Sequence, residues 1–249
     1  LGFGGQRCAY DTYAGGGQIV ESSPAVGPFL AGGATGIASG MGYFPSYTGP
    51  TNKVVVLGLD CKKVWGMTTD YETSSPILAD VDGDGKLDVV VGTQDVSQHG
   101  QTANGSVYAF DGATGRLLWK RVTGAVLGQP VAADLRGTGH ADIVVATVGD
   151  LGLQVLDGSD GSLLKSSGDM VSQATPLLTA DQGGTIGITL AGYHGVLVNS
   201  TVELASTVRH WSFPGSSSAD LAQPLTTWAE FHHDPRLTGN IGGTPQAGG

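Results

Sequence analysis

The sequence predicts an all-β protein: a β-propeller of four-stranded blades, with about five blades or as a piece of a larger ring. Three observations lead to this fold class. Gly accounts for 42 of the 249 residues, well above the usual share of roughly 7%, as expected for a chain with many tight turns. The chain also repeats with a period of about 50 residues, which is typical of propeller blades. No segment shows the clean 3.6-residue period of the helices that an α/β fold needs between its strands.

A short motif opens each repeat: a polar residue, a proline and a short apolar strand. In the four clear copies, successive prolines are 52, 54 and 46 residues apart, and a weaker fifth copy follows at Gln223-Pro224-Leu225. The motif predicts a first strand for every unit. The four clear copies are Ser23-Pro24-Ala25-Val26, Ser75-Pro76-Ile77-Leu78, Gln129-Pro130-Val131-Ala132 and Thr175-Pro176-Leu177-Leu178.

The rest of each unit recurs as well. A β-branched strand comes next, as in residues 87–93 and 141–147, followed by a strand that ends in Asp, a Gly-rich turn and a last apolar strand. Residues 105–119 are the fullest copy of that second half, and residues 153–164 follow it closely. Consecutive apolar positions such as Val89, Val90 and Val91 predict strands that are buried on both faces.

We therefore interpret residues 1–249 as one propeller domain. The predicted repeats are 22–73, 74–127, 128–173 and 174–213, between a partial blade at 1–21 and a closing segment at 214–249. In the partial blade, residues 8–11 have the pattern of a strand that ends in Asp11. If the terminal strands complete one shared blade, the ring closes with five blades; otherwise the chain is part of a larger ring.

Three motifs carry a resemblance to known repeat families. Residues 79–92, which contain the series Asp80, Asp82, Asp84 and Asp88, resemble the FG-GAP (VCBS-type) repeat of integrin-like propellers. Residues 108–119, which end in Trp119, resemble the PQQ-like repeat of quinoproteins, and residues 228–239 resemble a terminal segment of bacterial proteins of this repeat type. The resemblance implies a propeller fold, but propellers serve many unrelated functions.

The strongest chemical signal is an acidic loop with carboxylates at alternate positions of a Gly-containing turn. Ca²⁺ takes six to eight oxygen ligands, and this loop offers side chains together with a backbone carbonyl and water. An EF-hand would have Glu at the twelfth position of the loop, where this chain has Val91. The alternative is an acidic turn without a metal. The predicted Ca²⁺ ligands are Asp80, Asp82, Asp84, Lys86 (through its carbonyl) and Asp88.

The matching turn of the next unit keeps Asp134 and Asp142 but has Arg136 and Thr138 between them. A guanidinium there can pair with either carboxylate and neutralise the turn in place of a cation. We expect no metal at this turn, and the next one, at Asp181, is more degenerate still. One calcium ion per chain is the simplest prediction.

Other candidate residues have structural interpretations. Trp65, Trp119 and Trp211 occupy similar late positions in their units, where the third unit has Lys165, and regular recurrence favours packing between blades over ligand stacking. His232 and His233, followed by Asp234, could form a metal or acid–base site. Their aromatic neighbours favour instead a segment anchored on the propeller surface.

Charge and cysteine content limit which partners the protein can bind and in which cellular compartment it is expected. The formal net charge of -10 argues against a nucleic-acid partner, which would need a basic face. No apolar run approaches the roughly 20 residues of a membrane helix. A bridge between Cys8 and Cys61 would fit an exported protein. These features predict a secreted, extracellular or cell-surface protein.

The sequence favours a non-catalytic, calcium-stabilised propeller that serves as a structural, adhesive or binding module, with a protein or glycan partner or self-assembly as its mode of action. It has no G-x-S-x-G elbow and no P-loop. Two enzymatic alternatives remain open. One is a fragment of a PQQ-dependent dehydrogenase, and the other is a polysaccharide lyase or hydrolase that uses carboxylates such as Asp60, Asp157 and Asp160.

Overall fold

In the computed structural model, the described residues form four antiparallel sheets that follow one another along the chain. The structure describes residues 5, 8–11, 18–19, 22–43, 53–95, 104–148, 152–168, 170–198, 201–223 and 225–228. Every strand pairing among them is antiparallel and joins strands that are close in sequence. The all-β prediction is therefore confirmed.

The first two sheets each contain five strands. In the first, β1 and β2 both pair with β3, which pairs with β4 and then β5; in the second, β6 and β7 both pair with β8, which pairs with β9 and then β10. A short 3-10 turn at Ala31–Gly33 links β2 to β3. The strands are β1 (Gln18–Ile19), β2 (Ala25–Leu30), β3 (Ala34–Tyr43), β4 (Lys53–Gly58), β5 (Lys63–Thr68), β6 (Glu72–Thr73), β7 (Ile77–Ala79), β8 (Asp88–Gln94), β9 (Ser106–Phe110) and β10 (Leu117–Val122).

The third sheet has four strands in sequential order, and the fourth sheet has three. Two strands of the fourth sheet are 13 residues long and pair along their whole length. A 3-10 helix at Ser218–Ala222 follows the last strand. The strands are β11 (Val131–Ala133), β12 (Asp142–Ala146), β13 (Leu153–Leu156), β14 (Leu163–Ser166), β15 (Leu177–Ala180), β16 (Ile186–Val198) and β17 (Thr201–Phe213).

The proline motif marks strand starts as predicted. The strands β2, β7, β11 and β15 each begin at the residue after a motif proline. Proline lacks an N–H and suits the residue just before or at the start of a strand. The fifth copy behaves differently: Pro224 lies outside the described residues, and Leu225 lies in a turn rather than in a strand.

The central strands are buried on both faces. Val89, Val90 and Val91 of β8 have no exposed surface, and neither do Ile143 and Val145 of β12. One buried cluster runs through the first, second and third sheets, and a second cluster joins the third sheet to the fourth. Each sheet therefore covers a face of the next.

Two tryptophans join neighbouring sheets, as the sequence predicts. The indole of Trp65 on β5 donates to the carbonyl of Gly112 in the second sheet, 2.8 Å away, and the indole of Trp119 on β10 donates to Gly158 in the third. Trp211 does not fit this pattern. It lies on β17, which pairs directly with the central strand β16, whereas β5 and β10 are edge strands one position further out in their sheets.

The terminal segments attach to the sheets without adding the predicted strands. Residues 8–11 form no strand; a Cys8–Cys61 disulfide holds them to the β4–β5 turn, and Tyr10 packs against a small cluster in the first sheet. At the other end, Trp228 is fully buried and exchanges two hydrogen bonds with Ala132 of β11. The pair His232 and His233 lies outside the described residues.

Ring closure is not detected in the described part of the chain, so five blades and a piece of a larger ring both remain predictions. Helices there are limited to the short 3-10 segments, and none has the length and apolarity needed to cross a membrane.

Candidate metal centre

The acidic loop connects β7 to β8 in the second sheet. Asp80 follows the last residue of β7, and Asp88 is the first residue of β8, so both ends of the loop are fixed by the sheet. Gly83 and Gly85 have φ of 78° and 80°, a conformation that favours glycine. These two glycines turn the backbone so that it folds over its own carboxylates.

Three of the predicted ligands come together. One carboxylate oxygen from each of Asp80, Asp82 and Asp88 can be chosen so that all three lie within 4.8 Å of one another. Asp80 and Asp88 are buried, and Asp82 is exposed. Carboxylate oxygens are the ligands that Ca²⁺ and Mg²⁺ prefer, so this donor set fits a hard divalent cation.

Backbone amides orient two of these carboxylates. Asp80 accepts from the amides of Gly83 and Gly85, at 2.8 and 2.9 Å, and Asp88 accepts from Val81 at 3.1 Å. Each carboxylate keeps further acceptor capacity, because an ionised carboxylate offers about four lone pairs. The loop thus fixes the direction of its oxygens before any ion binds.

Burial and neighbouring negative charges raise the pKa values of two carboxyl groups in the loop. Burial raises the pKa of Asp88 to about 8; the Val81 amide opposes this change, and the nearby carboxylates of Asp82, Asp80 and Asp84 add to it. Burial also raises the pKa of Asp80. Three carboxylates this close together are unfavourable as ions unless a cation or a proton compensates them.

The remaining two predicted residues point elsewhere. Asp84 accepts from the amide and the ammonium of Lys86, and these hydrogen bonds lower the pKa of Asp84. Lys86 is exposed. Asp84 is therefore outside the converging group, and as arranged here the loop offers three side chains rather than four.

The matching loop in the third sheet has a similar backbone conformation but different side chains. It runs from Asp134, just after β11, to Asp142, the first residue of β12, and Gly137 and Gly139 repeat the positive φ. Asp134 accepts from the amides of Thr138 and Gly139, at 2.9 and 2.7 Å, much as Asp80 does in the acidic loop. We call this segment, residues 134–142, the arginine loop.

A guanidinium occupies the centre of the arginine loop. Arg136 donates to both oxygens of Asp142, at 2.7 to 3.1 Å, and its Nη2 lies 2.7 Å from an Asp157 oxygen. Asp142 has no exposed side-chain surface. His140, Asp142 and Asp157 also have ligand atoms within 4.8 Å of one another, but Arg136 already compensates both carboxylates.

The sequence predicted that Arg136 pairs with Asp134 or Asp142, and the structure selects Asp142; the sequence missed Asp157. It expected Asp157 only as a turn residue or as a carboxylate of a lyase. The signal that identifies its position is the repeat itself, because Asp111 and Asp157 precede the same Gly in consecutive units. Burial would raise the pKa of Asp157, but the Ser159 hydroxyl and amide and the Arg136 guanidinium lower it to about 2.

The fourth sheet surrounds its turn aspartate in a third way, with hydrogen-bonding partners from a distant strand. Asp181 accepts from Ser212, and its other oxygen lies 2.8 Å from Nε2 of His210. Both partners come from β17 rather than from the turn. The sequence did not predict His210 as a partner, because 29 residues separate it from Asp181.

The acidic loop and the arginine loop lie side by side. The Asp80 carbonyl accepts from the Ala141 amide at 2.8 Å, and the Asp80 amide donates to Leu225 of the C-terminal segment at 2.7 Å. A cavity of about 420 Å³ between the loops and this segment is lined in part by Asp80, Asp134 and Asp220.

Comparisons with known proteins agree with this architecture. Residues 73–110, which contain the whole acidic loop, match the family model of the FG-GAP repeat. The FG-GAP resemblance seen in the sequence is thereby confirmed for this repeat. A comparison with curated proteins gives no match.

Solved propeller structures resemble the chain in fold. The V. cholerae biofilm matrix protein Bap1 matches with a TM-score of 0.50 and 11% identity, over 88% of this chain and 61% of its own. The Dos1 propeller matches with 0.47 and 17% identity, over 85% and 54%. BamB from Moraxella catarrhalis matches with 0.44 and 13% identity, over 71% and 47%. The chain thus spans about half to three fifths of their lengths. Together with the four consecutive antiparallel sheets, the likeness to Bap1 confirms the predicted propeller-like fold.

Proposed function

We propose that the protein is a calcium-stabilised, extracellular propeller module that binds or supports other molecules without catalysing a reaction. The observation that carries this proposal is the convergence of Asp80, Asp82 and Asp88 within 4.8 Å. The proposed ion is Ca²⁺, with the Lys86 carbonyl and water as its further ligands; Asp84, which pairs with Lys86 in this structure, would have to turn toward the ion to join them. Ca²⁺ tolerates the irregular geometry of such a loop better than Mg²⁺, which needs a near-ideal octahedron.

A structural role for the ion follows from its place in the fold. Asp88 begins β8, a fully buried strand of the second sheet, and Asp80 follows β7, which pairs with β8. An ion shared by both residues holds two adjacent strands together and compensates the buried charge. Its removal therefore destabilises the sheet rather than an isolated turn.

The extracellular location is supported by the disulfide. Disulfides persist mainly in oxidising compartments, and the Cys8–Cys61 bridge ties the N-terminal segment to the first sheet. Millimolar calcium is a property of the same compartment. A location outside the cell would therefore supply both the oxidant for the bridge and the ion for the loop.

A binding role without catalysis is supported by the surroundings of the carboxylates considered for lyase chemistry. Asp157 is engaged by Arg136, and Asp60 forms an exposed pair with Lys62 in a hairpin turn. Asp160 accepts from the Ser162 amide in another turn. We propose a protein or glycan partner, or a second copy of the chain.

A thermal melt with saturating Ca²⁺ and then with EDTA tests the calcium proposal, together with elemental analysis. At about 100 times its dissociation constant, one ion stabilises the fold by roughly 2.7 kcal/mol, or about 5 to 10 °C for a chain of this size. We expect one calcium per chain. The variant Asp82→Asn, with its affinity lowered about tenfold, should lose about half of the shift at the same calcium concentration, and Asp60→Asn, in an unrelated exposed turn, should keep it.

Two results would contradict the proposal. Equal melting temperatures in Ca²⁺ and EDTA, with no bound metal, would make the loop an ordinary acidic turn. A full shift in the Asp82→Asn variant would place the ion at another site.

A further inference from the structure

The interface between the third and fourth sheets lacks a side chain that the two earlier interfaces contain. At the equivalent strand position, Trp65 pairs with Val56 and Trp119 pairs with Ala109. In the third sheet this position, paired with Val155, holds Lys165. Lys165 is exposed, whereas both tryptophans are buried. The register shows that a lysine replaces an indole.

The space left by the indole is not filled by the fourth sheet. A cavity of about 100 Å³ opens beside Lys165, with a buried aliphatic floor of Leu153, Val155 and Ile188. Trp211 and Phe213 of β17 form its aromatic wall. In the first interface, by contrast, the Trp65 ring occupies the corresponding space and lies 6.0 Å from the Phe110 ring.

Phe213 is the counterpart of Phe110. Phe110 pairs with Val89, the second residue of β8, and Phe213 pairs with Ile186 at the start of β16. Each phenylalanine is the last residue of its strand, β9 or β17. The Lys165 ammonium lies 6.0 Å from the centre of the Phe213 ring. The Lys165 ammonium thus lies over Phe213, the counterpart of the Phe110 ring that lies beside the Trp65 indole in the first interface.

The lysine gives the cavity a charge preference. Lys165 forms no salt bridge to a described residue, in a chain with a formal net charge of -10. Ser166, Ser167 and Ser212 also line the cavity, but its floor is aliphatic. This floor favours an apolar ring over a sugar, because sugar hydroxyls placed against it would lose their hydrogen bonds to water. An ammonium at the mouth favours a carboxylate.

We propose that this cavity binds an aromatic ring that carries a carboxylate. The ring takes the place of the missing indole, against Trp211 and Phe213, and the carboxylate accepts from Nζ of Lys165. Apolar cavities of about 150 Å³ accommodate a benzene ring. This cavity is smaller, about 100 Å³, but open at its mouth, so a single six-membered ring can insert in part while its substituent stays outside.

Phenylacetate is the probe for this site, and isothermal titration calorimetry of the calcium-loaded protein measures its affinity. We expect one binding site per chain, with weaker binding of the neutral phenylacetamide and of glucuronate. Lys165→Met should weaken phenylacetate binding about tenfold, the size of one charge-assisted hydrogen bond. The control Lys62→Met, which removes an exposed lysine in a distant turn, should leave the affinity unchanged.

A variant that fills the cavity distinguishes loss of the binding site from unfolding of the protein. Lys165→Trp restores the side chain of the earlier interfaces, so it should abolish phenylacetate binding and raise the melting temperature. The proposal is overturned if the wild-type protein does not bind phenylacetate, or if Lys165→Trp binds it as well as the wild type. Equal affinity for phenylacetamide would exclude the role of Lys165, and preferential binding of glucuronate would identify a sugar site instead.

Discussion

The acidic loop of the second sheet and the arginine loop of the third both bring aspartate carboxylates close together, but they differ in the side chains that surround these carboxylates. Both place an aspartate after one strand and another at the start of the next, and both use two glycines with positive φ. In one loop, Asp80, Asp82 and Asp88 converge with no basic side chain among them. In the other, Arg136 lies between Asp142 and Asp157.

The difference shows that a repeated backbone can keep its shape while its side chains change from carboxylates alone to carboxylates paired with a guanidinium. A guanidinium is part of the chain and remains charged at every physiological pH. A metal ion must come from the solvent, so a loop that uses one depends on its concentration. Within one propeller, the second sheet is therefore expected to respond to calcium and the third to be indifferent to it.

The largest effect should come from removing the built-in cation. Arg136→Ala leaves the fully buried Asp142 carboxylate without its partner, which costs about 3 to 5 kcal/mol for a buried pair. Urea denaturation at neutral pH measures the loss. Lys62→Ala, which breaks an exposed pair, is the control and should have little effect. If Arg136→Ala is as stable as this control, the arginine loop does not depend on its guanidinium.

Exchanging the loops should transfer the calcium response. The triple variant Asp82→Arg, Asp84→Thr, Lys86→His gives the acidic loop the residues of the arginine loop, and Asp111 stands where Asp157 does in the next unit. We expect this variant to melt at the same temperature in Ca²⁺ and in EDTA, so that the ion's contribution of about 2.7 kcal/mol disappears. If the melting temperature of this variant still falls in EDTA, residues outside the loop, and not the three exchanged ones, determine the calcium response.

Acid should reveal the contribution of Asp157 to the arginine loop. The pKa of Asp157 is lowered to about 2 in the folded protein, so its stabilising contribution is present above the unfolded pKa near 3.9. That contribution is lost as the pH falls from about 4 to about 2, and amounts to roughly 2 kcal/mol. Urea midpoints measured from pH 5 to pH 2 test this expectation. Asp157→Asn should have a shallower slope over that range, and an identical slope would contradict it.

The smallest effect should separate the ligands within the acidic loop. Asp82 belongs to the converging group, whereas Asp84 pairs with Lys86. Asp82→Asn should lower the calcium affinity about tenfold, because affinity follows the charge of the ligands, and Asp84→Asn should lower it less. Calcium titration by calorimetry compares the two variants. A larger loss in Asp84→Asn would mean that Asp84 turns toward the ion when it binds.

Repetition made much of the fold predictable. The proline motif located the starts of β2, β7, β11 and β15, and the apolar runs located the buried strands, because strand propensity and turn chemistry are local properties. The same local pattern predicted strands where the tertiary structure has none. Residues 8–11 are held by a disulfide, and Leu225 lies in a turn beside the acidic loop. A short segment forms a strand only when another strand lies beside it.

The candidate site was predictable in its residue types but not in its geometry. The spacing of Asp80, Asp82 and Asp88 within nine residues suffices to predict an acidic turn. It does not show that Asp84 pairs with Lys86, because the spacing of residues does not determine which way each side chain of the loop turns.

By itself, the sequence determined the repeats, the strand starts, the acidic loop and the substitution of Arg136, since each depends on residues that are near one another in the chain. Only the tertiary structure decided that Asp157 completes the arginine loop, that His210 contacts Asp181 and that Lys165 leaves a cavity. These contacts span 21 to 48 residues (Asp157 to Arg136 and Phe213 to Lys165 at the extremes). Long-range contacts of this kind depend on how the sheets pack against one another, which no local pattern encodes.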